Sequence, residues 1–146
     1  MDTIDMNKAL LKLKEREKEL NCLYRVNEML AKPDLSQEQL FRELVRIIPS
    51  GWQYQSICEV RIAFEEINIQ SDDFRESEWK QTAEIVIDNN VLGEITVCYT
   101  QLIRLENNSQ FLPEEQKLLN NIASRLGTCI FNKRLQKSLD LIANTP

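Results

Sequence analysis

The residues of this 146-residue chain best equipped for chemistry are three aromatic rings, a pair of cations, two thiols and a run of carboxylates. Trp52, Tyr54 and Trp79 carry flat rings able to stack on a ligand, and Arg75, with Lys80 close by, carries charge able to neutralise an anion. The commoner use of such rings is to cap a small core, with the Trp N–H and Tyr O–H finding partners at its edge. Cys58 and Cys98 could sense oxidants, but a sensing thiol needs electropositive, exposed surroundings. They lie in an acidic stretch of chain and read as buried structural thiols. Asp72, Asp73, Glu76 and Glu78 crowd one segment without the ligand spacing of a calcium loop, so they read as an ordinary acidic loop.

What is missing narrows the chemistry further. The chain contains no histidine. That excludes a His phosphoacceptor, imidazole ligands to haem or zinc, and Ser-His or Cys-His nucleophilic pairs. The three glycines, Gly51, Gly93 and Gly127, stand far apart, so no phosphate-cradling Gly-rich loop is present. The four cysteines (Cys22, Cys58, Cys98, Cys129) form no C-x-x-C pair and read as reduced thiols of a cytoplasmic protein. The expectation is a protein with no catalytic residue, no metal and no cofactor.

Charge is unevenly divided. Residues 2–32 hold seven basic and six acidic residues, residues 33–127 eight and sixteen, and residues 128–146 three and one. An acidic body argues against binding to a phosphate backbone, so no nucleic acid partner is expected. No apolar run approaches the roughly 18 residues of a membrane span, and the charged N-terminus lacks the apolar stretch of a signal peptide.

These residues must be positioned by a small set of elements. Asp5 to about Lys32 lacks Pro and Gly and predicts a long helix ending before Pro33. Met6, Leu13, Leu20 and Asn27 repeat at one seam position, with Ala9, Arg16, Leu23 and Leu30 at the other, the pattern of a helix that pairs with a second copy or, alternatively, of an amphipathic helix packed on its own domain. Ser36 with Gln39 forms a capping box for a second helix whose Leu40, Phe41, Leu44, Val45 and Ile48 share a face, stopped at Pro49-Ser50-Gly51. Cys58, Val60, Ile62 and Phe64 alternate as a strand, Ile67 and Ile69 suggest a short neighbour, and Trp79 to Ile87 alternates again. Asp88-Asn89-Asn90 predicts a tight hairpin returning through Val91 to Thr100, with Val91, Ile95, Val97 and Tyr99 on one face and Gly93 marking a bulge or close contact. Pro113-Glu114-Glu115 opens a last helix, apolar nearly all round from Leu118 to Phe131 and thinning to Leu135, Leu139 and Ile142. Such a helix needs cover on more than one side, expected from the sheet and a second copy. The order predicts an α+β fold: an antiparallel sheet with helices on one side, both terminal helices leaving from the same region.

Several stretches together carry a resemblance. They are Lys18–Tyr24; Ile48-Pro49 with Trp52-Gln53-Tyr54; Cys58–Ile62; Phe74–Gln81; the hairpin Ile87–Gly93; and Phe111-Leu112-Pro113-Glu114-Glu115. Over about residues 18–135 the chain resembles the small GAF-like sensor domains that precede bacterial histidine kinases, diguanylate cyclases and PEP-synthase-type enzymes. The resemblance implies a GAF/PAS-like fold and a non-enzymatic sensory module that relays a signal to an output domain, such as a histidine kinase or PEP-utilising enzyme. GAF domains bind cyclic nucleotides, bilins or haem, or bind nothing and only dimerise. Without histidine, this chain lacks a haem or bilin-pocket imidazole. The organisation expected is a signalling helix over 1–32, a sensor core over 33–127 and a helical extension over 128–146. A homodimer interface is expected from Leu13, Leu20, Leu23, Asn27 and Leu30 with Ile122, Leu126 and Ile130. Any small ligand is expected among Trp52, Tyr54, Arg75 and Trp79, which flank predicted strand ends. The alternative is a ligand-free dimerisation scaffold.

Overall fold

The computed structural model describes residues 3–101 and 111–144. The first helix, α1, spans Thr3–Leu30. The second, α2, spans Gln37–Ile47 and opens on the predicted capping box: Ser36 Oγ accepts the Gln39 N–H at 3.2 Å while Gln39 Oε1 accepts the Ser36 N–H at 2.9 Å. A 3-10 turn over Ile48–Gly51 replaces the next helical turn where Pro49 removes a donor. The strands are β1 (Cys58–Phe64), β2 (Ile67–Gln70), β3 (Lys80–Ile87) and β4 (Asn90–Tyr99), and the chain closes with α3 (Pro113–Ala143). The sheet is antiparallel in the order β2-β1-β4-β3.

One face of the sheet is the core. Val60 opposes Val97, Ile62 opposes Ile95, and Ala83 opposes Ile95 from the other side, all buried beneath α2 and α3. Each fully buried aliphatic side chain of this kind contributes about 1.5–3 kcal/mol. The other face carries a strap. From Ser71, bonded to Val60 through both backbone and hydroxyl, the chain passes over the Arg61 guanidinium with Phe74. It is then fastened by Ser77 Oγ on the Tyr99 carbonyl before β3 begins.

Three expectations need correcting. Val91 does not share the buried face, because a register shift at Ile85/Val86 turns it to the outer side, where it is 57% exposed opposite Val86. Gly93 explains the tight fit beside that bulge: a Cβ there would lie 2.2 Å from the Ala63 carbonyl oxygen. The helix around Leu118–Ile130 does not need a second copy for cover. Ile122, Leu126 and Ile130 are spent inside the protomer, where the sheet takes one side of α3 and α1 another. They have no surface left to offer a partner.

The third correction concerns the terminal helices. Glu15 and Glu19 of α1 lie beside Glu115 and Glu114 at the start of α3, Asn27 meets Arg125, and the Leu30 carbonyl meets Cys129. The two helices therefore run parallel and overlap for roughly four turns. The N-terminal part of α1 projects beyond one end of the domain and the last turns of α3 beyond the other, so they leave from opposite ends rather than one region.

Candidate functional site

The first turn of α3, the start of β1 and the end of β4 meet at one end of the sheet, called proximal below. The β1–β2 turn and the β3–β4 hairpin form the distal end. The segment from Trp52 to Gln55 crosses the proximal end between the two 3-10 turns. Trp52 is wholly buried, and its indole Nε1 donates to Gln81 Oε1 at 3.0 Å, satisfying both groups in the core. From α1, Lys18 Nζ donates to the Trp52 carbonyl at 2.7 Å and to the Gln53 carbonyl at 3.3 Å.

Beneath them lies a carboxylate from the Pro113-Glu114-Glu115 segment that opens α3. Glu115 is 1% exposed. Its Oε1 accepts the Leu112 N–H at 2.7 Å, and its Oε2 accepts the Gln53 N–H at 2.7 Å and the Tyr99 hydroxyl at 3.5 Å. Burial pushes its carboxyl above the ordinary range, and the donors from Leu112, Gln53 and Tyr99 pull the other way. The Tyr99 hydroxyl is held far above its usual range, by burial first and by the Glu115 charge second. Tyr99 is gripped by rings on two sides, edge-on by Tyr54 (5.6 Å) and stacked by Phe111 (4.6 Å, 11° between planes). A signal for this burial was present: Glu115 precedes Leu118, Leu119 and Ile122 at the spacing of one helical face.

The ligand residues expected from sequence are partly gathered here. Trp52 and Tyr54 belong to the cluster. Trp79 is half-buried at the start of β3, its carbonyl accepting the Tyr99 N–H at 3.0 Å. Arg75 faces solvent on the strap. Its neighbour Glu76 pairs instead with Lys80 (2.6 Å) and Arg61 (3.5 Å), contacts that hold the Glu76 carboxyl below its usual range. Cys22, Cys58 and Cys98 are buried free thiols. Burial pushes Cys22 up to about 11, and raises Cys58 and Cys98 in the same direction. These are poor conditions for a reactive thiolate. No group of His, Cys, Asp and Glu among the described residues could hold a metal ion.

The residues expected at a dimer interface divide. Leu13 and Leu20 are 65% and 58% exposed. Leu23 and Leu30 turn inward against their own core, and Asn27 Oδ1 accepts from Arg125 at 3.3 Å. The open stripe of α1 instead runs Met6, Leu10, Leu13, Leu20 and Tyr24, and a second runs along α3 through Phe131, Leu135, Leu139 and Ile142.

Comparison with known proteins finds similarity both to a sequence family and to solved structures. The family described as "Nitrate/nitrite sensor histidine kinase, GAF-like domain" matches residues 12–133. Among solved structures, the crystal structure of the A. aeolicus nlh2 GAF domain in an inactive state is similar, with a TM-score of 0.55 at 15% identity. The match covers 80% of this chain and 97% of that one, a likeness of fold. No curated protein matches the chain.

Proposed function

The chain belongs to the GAF-like domain family of nitrate/nitrite sensor histidine kinases, and from that membership we propose how it works. It is a non-catalytic regulatory module that pairs with a second copy through its terminal helices. It passes a state along them toward an output domain of the histidine-kinase kind. The observation that carries this reading is the parallel, offset arrangement of α1 and α3, which gives the domain an incoming helix at one end and an outgoing helix at the other. A small shift of packed helices is a recognised way for such elements to transmit a change.

A second copy of this chain is the occupant proposed for the exposed stripes. Met6, Leu10, Leu13, Leu20 and Tyr24 recur at alternating three- and four-residue steps, interrupted by Glu17, the pattern of a two-stranded seam. The opposite face of α1 is already spent on its own domain through Lys18, Cys22 and Val26. The cytoplasm is the compartment proposed, in keeping with four free cysteines. No helix among the described residues is long and apolar enough to cross a membrane. Light scattering at micromolar concentration should return twice the 17.1 kDa chain mass. Leu13→Glu with Leu20→Glu should bring it to one chain mass with the sheet still folded. A wild-type monomer at that concentration would remove the paired-helix reading.

A second reading, a scaffold without ligand, is favoured by one observation: Trp52 has no free edge, being buried with its N–H satisfied. A ligand would then meet Tyr54, Trp79 and Arg75 before it met Trp52. A thermal-shift screen with nucleotides, organic acids and amino acids separates the two. Ligand at ten times its Kd stabilises by about 1.4 kcal/mol, and no shift with any class favours the scaffold.

A further inference from the structure

Glu115 is the only carboxylate among the buried polar residues described, and among the described residues it makes no ion pair. Its contacts join parts of the chain that are far apart in sequence. Leu112 leads into α3, while Gln53 lies 62 residues earlier, in the segment whose carbonyls receive Lys18 of α1. A path from α1 to α3 thus runs through one carboxylate without passing through the sheet.

We propose that Glu115 is a proton-responsive tie between the two terminal helices, holding the Gln53 and Leu112 N–H groups as a carboxylate and loosening one of them on taking up a proton. The reason lies in the division of its oxygens. Each accepts one backbone N–H, and bonds to an ionised acceptor are the stronger kind. A neutral carboxyl keeps one carbonyl oxygen, but its other oxygen becomes a hydroxyl carrying a proton that needs an acceptor of its own. The Gln53 or Leu112 bond must weaken, while the apolar core under the sheet is untouched.

The groups facing Glu115 all bear on its titration. They are the Leu112 and Gln53 N–H donors, the Glu15 charge on α1 and the Tyr99 hydroxyl on β4, with the Cys58 thiol of β1 feeling the Glu115 charge; nearby, Lys18 pairs with Glu15, and Glu19 of α1 faces Glu114. Burial raises its carboxyl most, and the Glu15 charge adds to the rise. A folded value above the unfolded one means that the group's contribution to stability is fully present below the unfolded value. That contribution is lost as pH rises through the folded value. The ionised tie is therefore held at a cost, which protonation relieves.

The use of the tie as a signal rests on the helix-relay reading above; the tie itself does not. An amide NMR titration of the full chain tests it. The Gln53 and Leu112 amides should move with one shared midpoint above the ordinary carboxylate range, and amides of α1 around Lys18 should follow. Resonances at the distal end, at Glu65 and Asn89, should not. Tyr99→Phe keeps the stacked ring but removes a donor that favours the carboxylate, so the shared midpoint should rise further. Glu115→Gln should abolish it. Separate or ordinary midpoints at the two amides, an α1 that does not follow, or no change in Tyr99→Phe would each overturn the tie. A monomer with the titration intact would instead remove the paired relay and leave the tie standing.

Discussion

At the proximal end of the sheet, α3 begins over a buried carboxylate that accepts the N–H of Leu112, just ahead of the helix, and that of Gln53, 62 residues earlier. At the distal end the same helix passes the β1–β2 turn, where Arg134 pairs with Glu65 and lies over the Phe64 ring at 5.3 Å, both charged side chains 44% exposed. The first arrangement has few alternatives, since N–H groups left without an acceptor in a buried site cost about 1–3 kcal/mol each. The second has water as a ready substitute, and exposed pairs of this kind contribute about 0–1 kcal/mol. The helix is thus fixed in position where it starts and lightly held where it leaves, an asymmetry in keeping with the relay proposed above.

The comparison is most readily broken at Trp52. Trp52→Ala should lower unfolding stability by about 3–5 kcal/mol in a urea titration, through the cavity and the stranded Gln81 amide. A loss below about 1 kcal/mol, the level of a surface site, would mean that the proximal end is not the fixed one. Next in size is Glu115→Ala, expected to cost about 2–3 kcal/mol near neutral pH because two N–H donors lose their acceptor. Its deficit against the wild type should change with pH through the raised carboxyl, which a simple loss of packing would not do. Arg134→Ala should cost no more than about 0.5 kcal/mol and should become indistinguishable from wild type in 1 M salt. A larger, salt-insensitive loss would show that the distal contact depends on the cation lying over Phe64 rather than on the ion pair.

Much of this architecture could be read in the residues. The capping box at Ser36 and Gln39, the alternation of Cys58 to Phe64 and the turn at Asp88-Asn89 are local signals, and the structure follows them; Asp88 and Asn89 adopt the positive φ values (52° and 65°) the hairpin needs. Non-local facts were harder to see. The face of Val91 depends on a register shift between β3 and β4 at Ile85/Val86, and a strand's own pattern does not record its neighbour's register. The heptad on α1 was visible, but its phase was not. Leu23 and Leu30 are as apolar as Leu13 and Leu20, and only the position of the domain decides which pair turns inward. Of the site, Trp52 and Tyr54 stood out as aromatic residues. Glu115 was hidden because an acid in a first helical turn has a sufficient explanation in the dipole, although its place on the apolar face pointed to burial.

The overlap of α1 and α3 has a mechanical meaning. Two rods laid side by side and pulled from opposite ends form a lap joint, and the load crosses it in shear. Asn27 with Arg125 and the Leu30 carbonyl with Cys129 cross the overlap directly, and Lys18 reaches α3 indirectly, through the Trp52–Gln53 segment and Glu115, so these contacts would be strained together rather than peeled one by one. In the relay proposed above, an axial push or pull on α1 would load α3 along this overlap, whereas a sideways bend of α1 would fall first on its projecting turns. Such a joint passes displacement along its length and filters out tilt.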